Sequence, residues 1–333
     1  MTAASELQTD NTMRGILFIV LGMTCVSIND TLIKTLSGEY PLHQMIFVRS
    51  AIGIVFSLVF VQFEGGFRIL KTDQPFLHLC RGLLVVAANM TFFAALAVIP
   101  LADATALFFV SPLIITLLSI PILGERVGPR RILAVMIGFL GVLVMLRPWS
   151  TTDMGSANVG ANTLVLLLPV AAAFTYALMQ ILTRRLGVKS KASAMAVYIQ
   201  GTFLAVSAGF WFVAGDGRYA AGVEDPSLQF LLRPWRWPAD GDGVLFFGLG
   251  LMSGIIGYAL SEAYRSAPAA TVAPFEYVAM PLAILWGWLF FGHLPDAAAS
   301  AGIALIFGAG LYVFLREGAR RKAVATRRPI RRW

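Results

Sequence analysis

Continuous apolar runs of about twenty residues, each ended by a short polar or basic stretch, organise nearly the whole chain. Ten such runs fall at 14–36, 43–62, 76–99, 102–122, 131–148, 162–183, 192–215, 243–264, 270–291 and 297–316. Each is long enough to cross a hydrocarbon layer about 30 Å thick as a helix rising about 1.5 Å per residue. Barrel strands would alternate apolar and polar residues at period two, and these runs do not alternate. The pattern predicts an all-α membrane protein of ten transmembrane helices.

The ten runs divide into two related fives. Pro268 to Pro295 repeats the grammar of Pro100 to Glu125. Laid over each other, Pro100 falls on Pro268, Ala102 on Ala270, Phe109 on Tyr277, Val110 on Val278 and Gly124 on Gly292. Five is odd, so the second unit must sit inverted relative to the first, an arrangement that points to a carrier. The expected organisation is an N-terminal tail over 1–13, a first five-helix repeat over 14–148, a linker over 149–161, a second repeat over 162–316 and a basic tail over 317–333.

Composition supports lipid as the solvent: 58% of the 333 residues are hydrophobic and 13% charged, against about 25% charged in a soluble domain. A net charge of +8 raises the question of nucleic acid. The cations, however, sit at the ends of apolar runs and in the tail, which is membrane topology rather than a phosphate-binding face. With a cytoplasmic N-terminus, the inner segments hold Arg14, Arg68, Lys71, Arg126, Arg130, Arg131, Arg184, Arg185, Lys189, Lys191 and the Arg-rich tail. The long loop 216–242 then lies outside. It is net acidic, and its Trp235 and Trp237 suit the outer headgroups or a lid. Residues 1–13 are polar and partly acidic, and the first run shows no small-residue cleavage site, so no cleavable signal is expected. Cys25 and Cys80 fall inside apolar runs, and the three histidines lack ligand spacing, so neither a disulfide, a metal nor another cofactor is expected.

Several short runs carry a resemblance to a known family. In the first half they are Arg81-Gly82, Phe92-Phe93-Ala94-Ala95-Leu96, Pro100-Leu101-Ala102-Asp103-Ala104, Ser111-Pro112-Leu113 and Leu123-Gly124-Glu125-Arg126. In the second they are Ala273-Pro274-Phe275-Glu276-Tyr277 and Gly287-Trp288-Leu289-Phe290-Phe291-Gly292. In their order and inverted duplication they resemble the drug/metabolite transporter superfamily, in its EamA branch. The resemblance implies an inner-membrane carrier for small organic metabolites, such as amino acids, riboflavin or S-adenosylmethionine. It also implies a central cavity formed by spans three, four, eight and nine, with one, two, six and seven on the flanks and five and ten at the periphery. The family commonly ends its second repeat in Gly-Glu; this chain has Gly292-His293, which leaves Glu125 of the first repeat as the only such glutamate.

Ionisable groups within spans are costly in lipid and are functional candidates by default. Glu276 lies about 9 Å into the ninth span, where it would bind a cationic group, take up a proton, or form a static pair with Arg265 or Arg81. Tyr277 would stack on a ligand or simply pack. Asn29, Asp30 and Lys34 share the first span. Asp30 and Lys34, four apart, are expected to pair, as a static bridge or as a gate or proton site. Arg49 would attract an anionic substrate or, as the favoured reading, snorkel to the headgroups. Arg81 would neutralise Glu262 or Glu276, Asn89 would meet another helix or a substrate, and Tyr258 and Glu262 share a helix face. Phe108 belongs to a set of aromatics suited to a planar ligand. Gly248, Gly250, Gly254 and Gly257 would let the eighth span pack closely.

The favoured function is secondary transport of a small metabolite across the plasma membrane by alternating access, by a monomer or homodimer, with protons a candidate coupling ion. A GxxxxGK[ST] phosphate loop, HExxH and GxSxG are all absent, which argues against ATP drive and against a membrane-embedded enzyme with catalytic residues. A passive channel would carry a repeated filter loop or polar stripe.

Overall fold

The computed structural model describes residues 3–124, 128–146, 163–186 and 190–326. Every regular element among them is helical. In chain order these are α1 (Ala3–Leu36), α2 (Leu42–Glu64), α3 (Pro75–Leu96), α4 (Leu101–Phe108), α5 (Ser111–Leu123), α6 (Pro129–Leu146) and α7 (Thr163–Leu186). There follow α8 (Ala192–Ala214), α9 (Pro226–Leu232), α10 (Asp242–Ser266), α11 (Ala269–Val272), α12 (Ala279–Phe291) and α13 (Ala297–Thr326). Short 3₁₀ turns cover Phe67–Leu70 and Ala273–Val278.

Among the described residues, seven helical stretches are long and apolar enough to cross a membrane: Thr12–Leu36, Leu42–Glu64, Pro75–Leu96, Leu101–Leu123, Val165–Leu186, Ala192–Ala214 and Asp242–Ser266. The other three apolar runs appear as shorter helices, Ile132–Met145, Phe275–Phe291 and Ala297–Ala309. The ninth run is shortened because its first third is α11 followed by 3₁₀ turns rather than one α-helix. Bulky apolar side chains line the outer faces, Leu17 at 64%, Met136 at 66% and Phe212 at 74% exposure, which only lipid can solvate.

The fourth and ninth runs are built alike. Pro100 and Pro268 each begin their run with an extended ψ, of 144° and 135°. Gly124 and Gly292 each end it in the left-handed region, at φ 69° and 65°, where a Cβ would be strained. Phe109 and Tyr277, the residues the sequence overlay equates, meet ring to ring at 5.7 Å.

Helix pairing follows the same correspondence. Helix α1 packs along α10 and α7 along α3, α2 packs along α8, and α6 along α13. Close approach is allowed by glycine where α2 meets α10 and α8: a Cβ on Gly250 would stand 2.3 Å from Ile52 Cβ, and one on Gly53 2.7 Å from Gln200 Nε2 of α8. Gly248 is looser, with only Leu32 Cδ1 nearby, at 3.5 Å.

Candidate functional site

A cavity lies at the centre of the bundle, bounded by α1, α2, α3, α4, α7, α8, α10 and α12. Measured to the centres of water-sized spheres it holds about 130 Å³, room for about ten waters. The flanking helices α1, α2, α7 and α8 thus contribute to the wall as well as α3, α4, α10 and α12; α1 packs along α10 and α7 along α3. Among the described acids only Asp30 is in the lining; the cations are Arg49 and Arg81.

Arg49 does not snorkel. It is 4% exposed and turns inward from α2. Its Nη2 donates to Asn89 Oδ1 at 2.7 Å and its Nη1 to Asn29 Oδ1 at 3.4 Å. Asn29 Nδ2 in turn donates to Asp30 Oδ1 at 3.2 Å. The guanidinium lies over Phe93 and Phe203, 5.6 and 5.0 Å from the ring centroids. Hydrogen bonds to two amides and two aromatic faces make burial of this cation tolerable without a direct carboxylate.

The expected Asp30–Lys34 bridge is not formed. Lys34 Nζ donates instead to Leu96 O at 2.8 Å and Ile99 O at 3.0 Å, and lies 5.6 Å from the centroid of Phe291. Leu96 O, at the last residue of α3, has no partner within its own helix, Ile99 O lies in the turn that follows, and an ammonium there also meets the negative end of the helix dipole. At the opposite end of the bundle Arg184, near the end of α7, donates to Arg265 O near the end of α10 at 2.9 Å. Both ends therefore carry a cation bound to the carbonyls of a neighbouring helix terminus.

Arg81 neutralises neither expected glutamate. Its guanidinium binds Thr183 Oγ1 at 2.6 Å, Met195 O at 3.0 Å and Ser261 Oγ at 3.0 Å, tying α3 to α7, α8 and α10. Glu262 pairs with Arg14 at 3.0 Å and Arg265 at 2.8 Å and accepts from Ser266 Oγ. Glu276, fully buried, pairs with no cation among the described residues. Its Oε1 accepts from Tyr176 Oη at 3.0 Å and from Tyr264 Oη, and its Oε2 has no hydrogen-bond partner among the described residues. Tyr176 also accepts from Gln180 Nε2 at 2.6 Å, so a chain of hydrogen bonds runs from the cavity wall to Glu276.

Of the expected site residues, Asn29, Asp30, Arg81, Asn89 and Phe108 line the cavity. Glu276 stands behind it, through Tyr176. Tyr277 is packed between Phe109 and Phe307 rather than on the wall. Tyr258 binds Glu64 Oε1 at 3.1 Å and stacks on Phe60, away from the cavity. Glu262 and Lys34 act at opposite ends. Sequence reasoning missed Tyr176, Gln180, Gln200 and the inward Arg49. Tyr176 and Gln180 are four apart in a strongly apolar run, a helical polar stripe that could have marked them. Glu125 and Arg126, which follow Gly124 in sequence, lie outside the described residues.

The loop after α8 docks on the turn between α1 and α2. Trp235 packs on Phe47, His43 and Trp211, Arg236 N donates to Gln44 Oε1 at 3.0 Å, and Arg233 binds Ser37 O and Gly38 O. Trp237, 95% exposed, touches little.

Comparison with known proteins agrees with this architecture. Residues 13–147 match the EamA-like transporter family. A riboflavin transporter of Rhizobium johnstonii is 30% identical over 93% of this chain and 94% of its own. The chain belongs to the EamA-like transporter family. It is accordingly a small-metabolite transporter of the drug/metabolite transporter superfamily, a multi-pass membrane protein and not an enzyme. An S-adenosylmethionine uptake transporter of Rickettsia prowazekii is 27% identical over 92% of this chain and 94% of its own. A crystal structure 21% identical in sequence shares the fold, with a TM-score of 0.65 over 94% of this chain and 98% of the other.

Proposed function

We propose that this EamA-family protein is a secondary carrier that moves its substrate by alternating access, with ten spans built as two inverted five-helix repeats. What supports this reading is a central cavity together with cation-to-carbonyl contacts at opposite ends of the bundle, Lys34 on Leu96 O and Ile99 O and Arg184 on Arg265 O, which we take as latches. Breaking one latch while keeping the other would open the cavity to one side at a time. The reciprocal pairing of α1 with α10 and α3 with α7 supports the two-fold relation, as do the matched breaks at Pro100 and Pro268. The repeats are 14–148 and 162–316; the linker 149–161 lies outside the described residues.

The distribution of Lys and Arg supports an inner, plasma-membrane location with both termini cytoplasmic. The Arg14–Glu262 end then faces the cytoplasm and the Lys34 end the outside. One chain encloses the whole cavity, so the transporting unit is the monomer, alone or as half of a homodimer. Candidate substrates are a riboflavin-like vitamin, an amino acid or derivative, or an S-adenosylmethionine-like compound. Glu276 is the group best suited to carry a proton through the cycle, since it is buried with no cation beside it among the described residues and is linked to the cavity wall by Tyr176. Purified protein in liposomes, offered these compounds with and without a pH gradient, tests the reading. Uptake of at least one, accelerated by the gradient, is expected. Uptake indifferent to the gradient would remove the proton from the cycle, and no uptake of any would sink the carrier.

A further inference from the structure

Helices α8 and α10 are joined by residues 215–241, a long connection that carries α9. The corresponding connection in the first half, 65–74 between α2 and α3, makes its crossing in far fewer residues. It is tied to α8 by a hydrogen bond from Tyr198 Oη to Leu70 O. Joining two helices therefore does not require the length of 215–241, and loops of that length in compact folds commonly have a task of their own.

The long connection is attached on two sides. Helix α9 packs on α3, with Phe230 1% exposed. The residues around and after its end are held by the α1–α2 turn and the start of α2. His43 Nδ1 donates to Leu231 O at 3.1 Å, and Arg233 donates to Ser37 O at 3.1 Å and to Gly38 O. Gln44 brackets the backbone of Arg236, donating to its O and accepting from its N at 3.0 Å. Tyr40 Oη accepts from Ala239 N at 2.8 Å and donates to Asp242 Oδ2 at 2.7 Å. Tyr40, His43 and Gln44 are all buried beneath these contacts.

The segment thus bridges α3 and the end of α1, the same two elements that Lys34 joins. If Lys34 lets go of α3, the two still cannot part while a chain fastened to both holds them. The two fastenings differ in kind. On α3 the contact includes a buried phenylalanine, whereas on the α1–α2 side it is largely side chains hydrogen-bonded to backbone, which water replaces at small net cost. The polar joint is the one that opens.

We infer that residues 215–241 form a strap that closes the Lys34 end of the cavity together with Lys34, and that it leaves Tyr40, His43 and Gln44 while staying on α3 each time that end opens. The inference rests on the reading of Lys34 as a latch and adds a second, larger part to the same gate.

Accessibility and cross-linking test it in full-length protein with Cys25 and Cys80 replaced by alanine. Tyr40→Phe removes both hydrogen bonds of the hydroxyl and keeps the ring, which meets Phe246 at 5.0 Å. With Ala88→Cys as reporter on the cavity wall, it should raise labelling by an impermeant maleimide from the Lys34 side at least threefold. Adding Gln44→Ala should make the rise at least tenfold, and labelling from the opposite side should not rise. With Ala88 kept, Gln44→Cys and Arg236→Cys joined by a short cleavable thiol cross-linker should cut uptake at least tenfold, and cleavage should restore it. Unchanged labelling in the folded variants, or full uptake by the cross-linked protein, would reduce the strap to a static tie. Should the double variant not fold, Tyr40→Phe alone decides. A cross-link that stops a flux showing no counterflow would refute the carrier and leave the strap standing. Counterflow at full rate through the cross-linked protein would do the reverse.

Discussion

Replacing Lys34 with methionine removes the ammonium that holds the end of α3 while keeping a side chain of similar length. The wild-type group makes two hydrogen bonds, of 2.8 and 3.0 Å, to Leu96 O and Ile99 O. Hydrogen bonds involving a charged group contribute about 1.5–3 kcal/mol each. The closed Lys34 end should therefore lose about 3–6 kcal/mol relative to an open one in which water solvates both the lysine and the carbonyls. The lower figure is already a shift of more than about 100-fold in the open-to-closed ratio. The cation over Phe291 adds about 0.5–1 kcal/mol. Accessibility of the cavity measures this shift. With Cys25 and Cys80 replaced by alanine and Ala88, on the cavity wall, replaced by cysteine, a membrane-impermeant maleimide is added from the Lys34 side. Lys34→Met should raise the labelling rate at least tenfold and slow the full transport cycle, because closing that end becomes unfavourable. An unchanged labelling rate in a folded protein would refute Lys34 as a latch and reduce it to a helix cap.

Other expectations follow from the same contacts. Glu276→Gln keeps an acceptor for Tyr176 and Tyr264 and should fold normally, yet lose at least tenfold in transport; wild-type rates at several external pH values would dismiss Glu276 from the cycle. Glu276→Leu should in addition lower thermal stability, since two buried hydroxyls lose their acceptor at about 1–3 kcal/mol each. Gly250→Ala drives a Cβ to 2.3 Å from Ile52 and should destabilise the α2–α10 contact by about 1–3 kcal/mol, read as a lower melting temperature in detergent. Trp235→Ala should loosen the outer loop and speed its proteolysis, whereas Trp237→Ala, at a side chain 95% exposed, should not.

Much of this molecule could be read from its sequence because lipid makes simple demands. A continuous apolar run must become a helix, and a repeated Pro-to-Gly frame must become a repeated broken helix; Gly124 and Gly292 adopt the same left-handed turn for that reason. Partner choice was much less legible. Lys34 and Asp30 satisfy the four-residue spacing of a helical pair, yet the open carbonyls at the end of α3, 62 and 65 residues away, compete successfully for the ammonium. Arg49 sits at a depth from which an arginine can reach headgroups, yet it turns inward to Asn29, Asn89, Phe93 and Phe203 on three other helices. Glu276 stood out in sequence as a lone carboxylate, but its partners are tyrosines, one of them 100 residues away. In each case the charge was visible and the neighbour was a matter of tertiary packing.

The central claim is a cavity opened to one side at a time, and counterflow tests it most directly. Liposomes containing the protein are loaded with unlabelled riboflavin, or whichever panel compound is taken up, and diluted into a trace of the same compound labelled. The account predicts a transient accumulation of label above its final equilibrium, faster than uptake into empty liposomes, because a loaded cavity returns bearing substrate. Monotonic equilibration at the same rate in loaded and empty liposomes would contradict it and describe a channel.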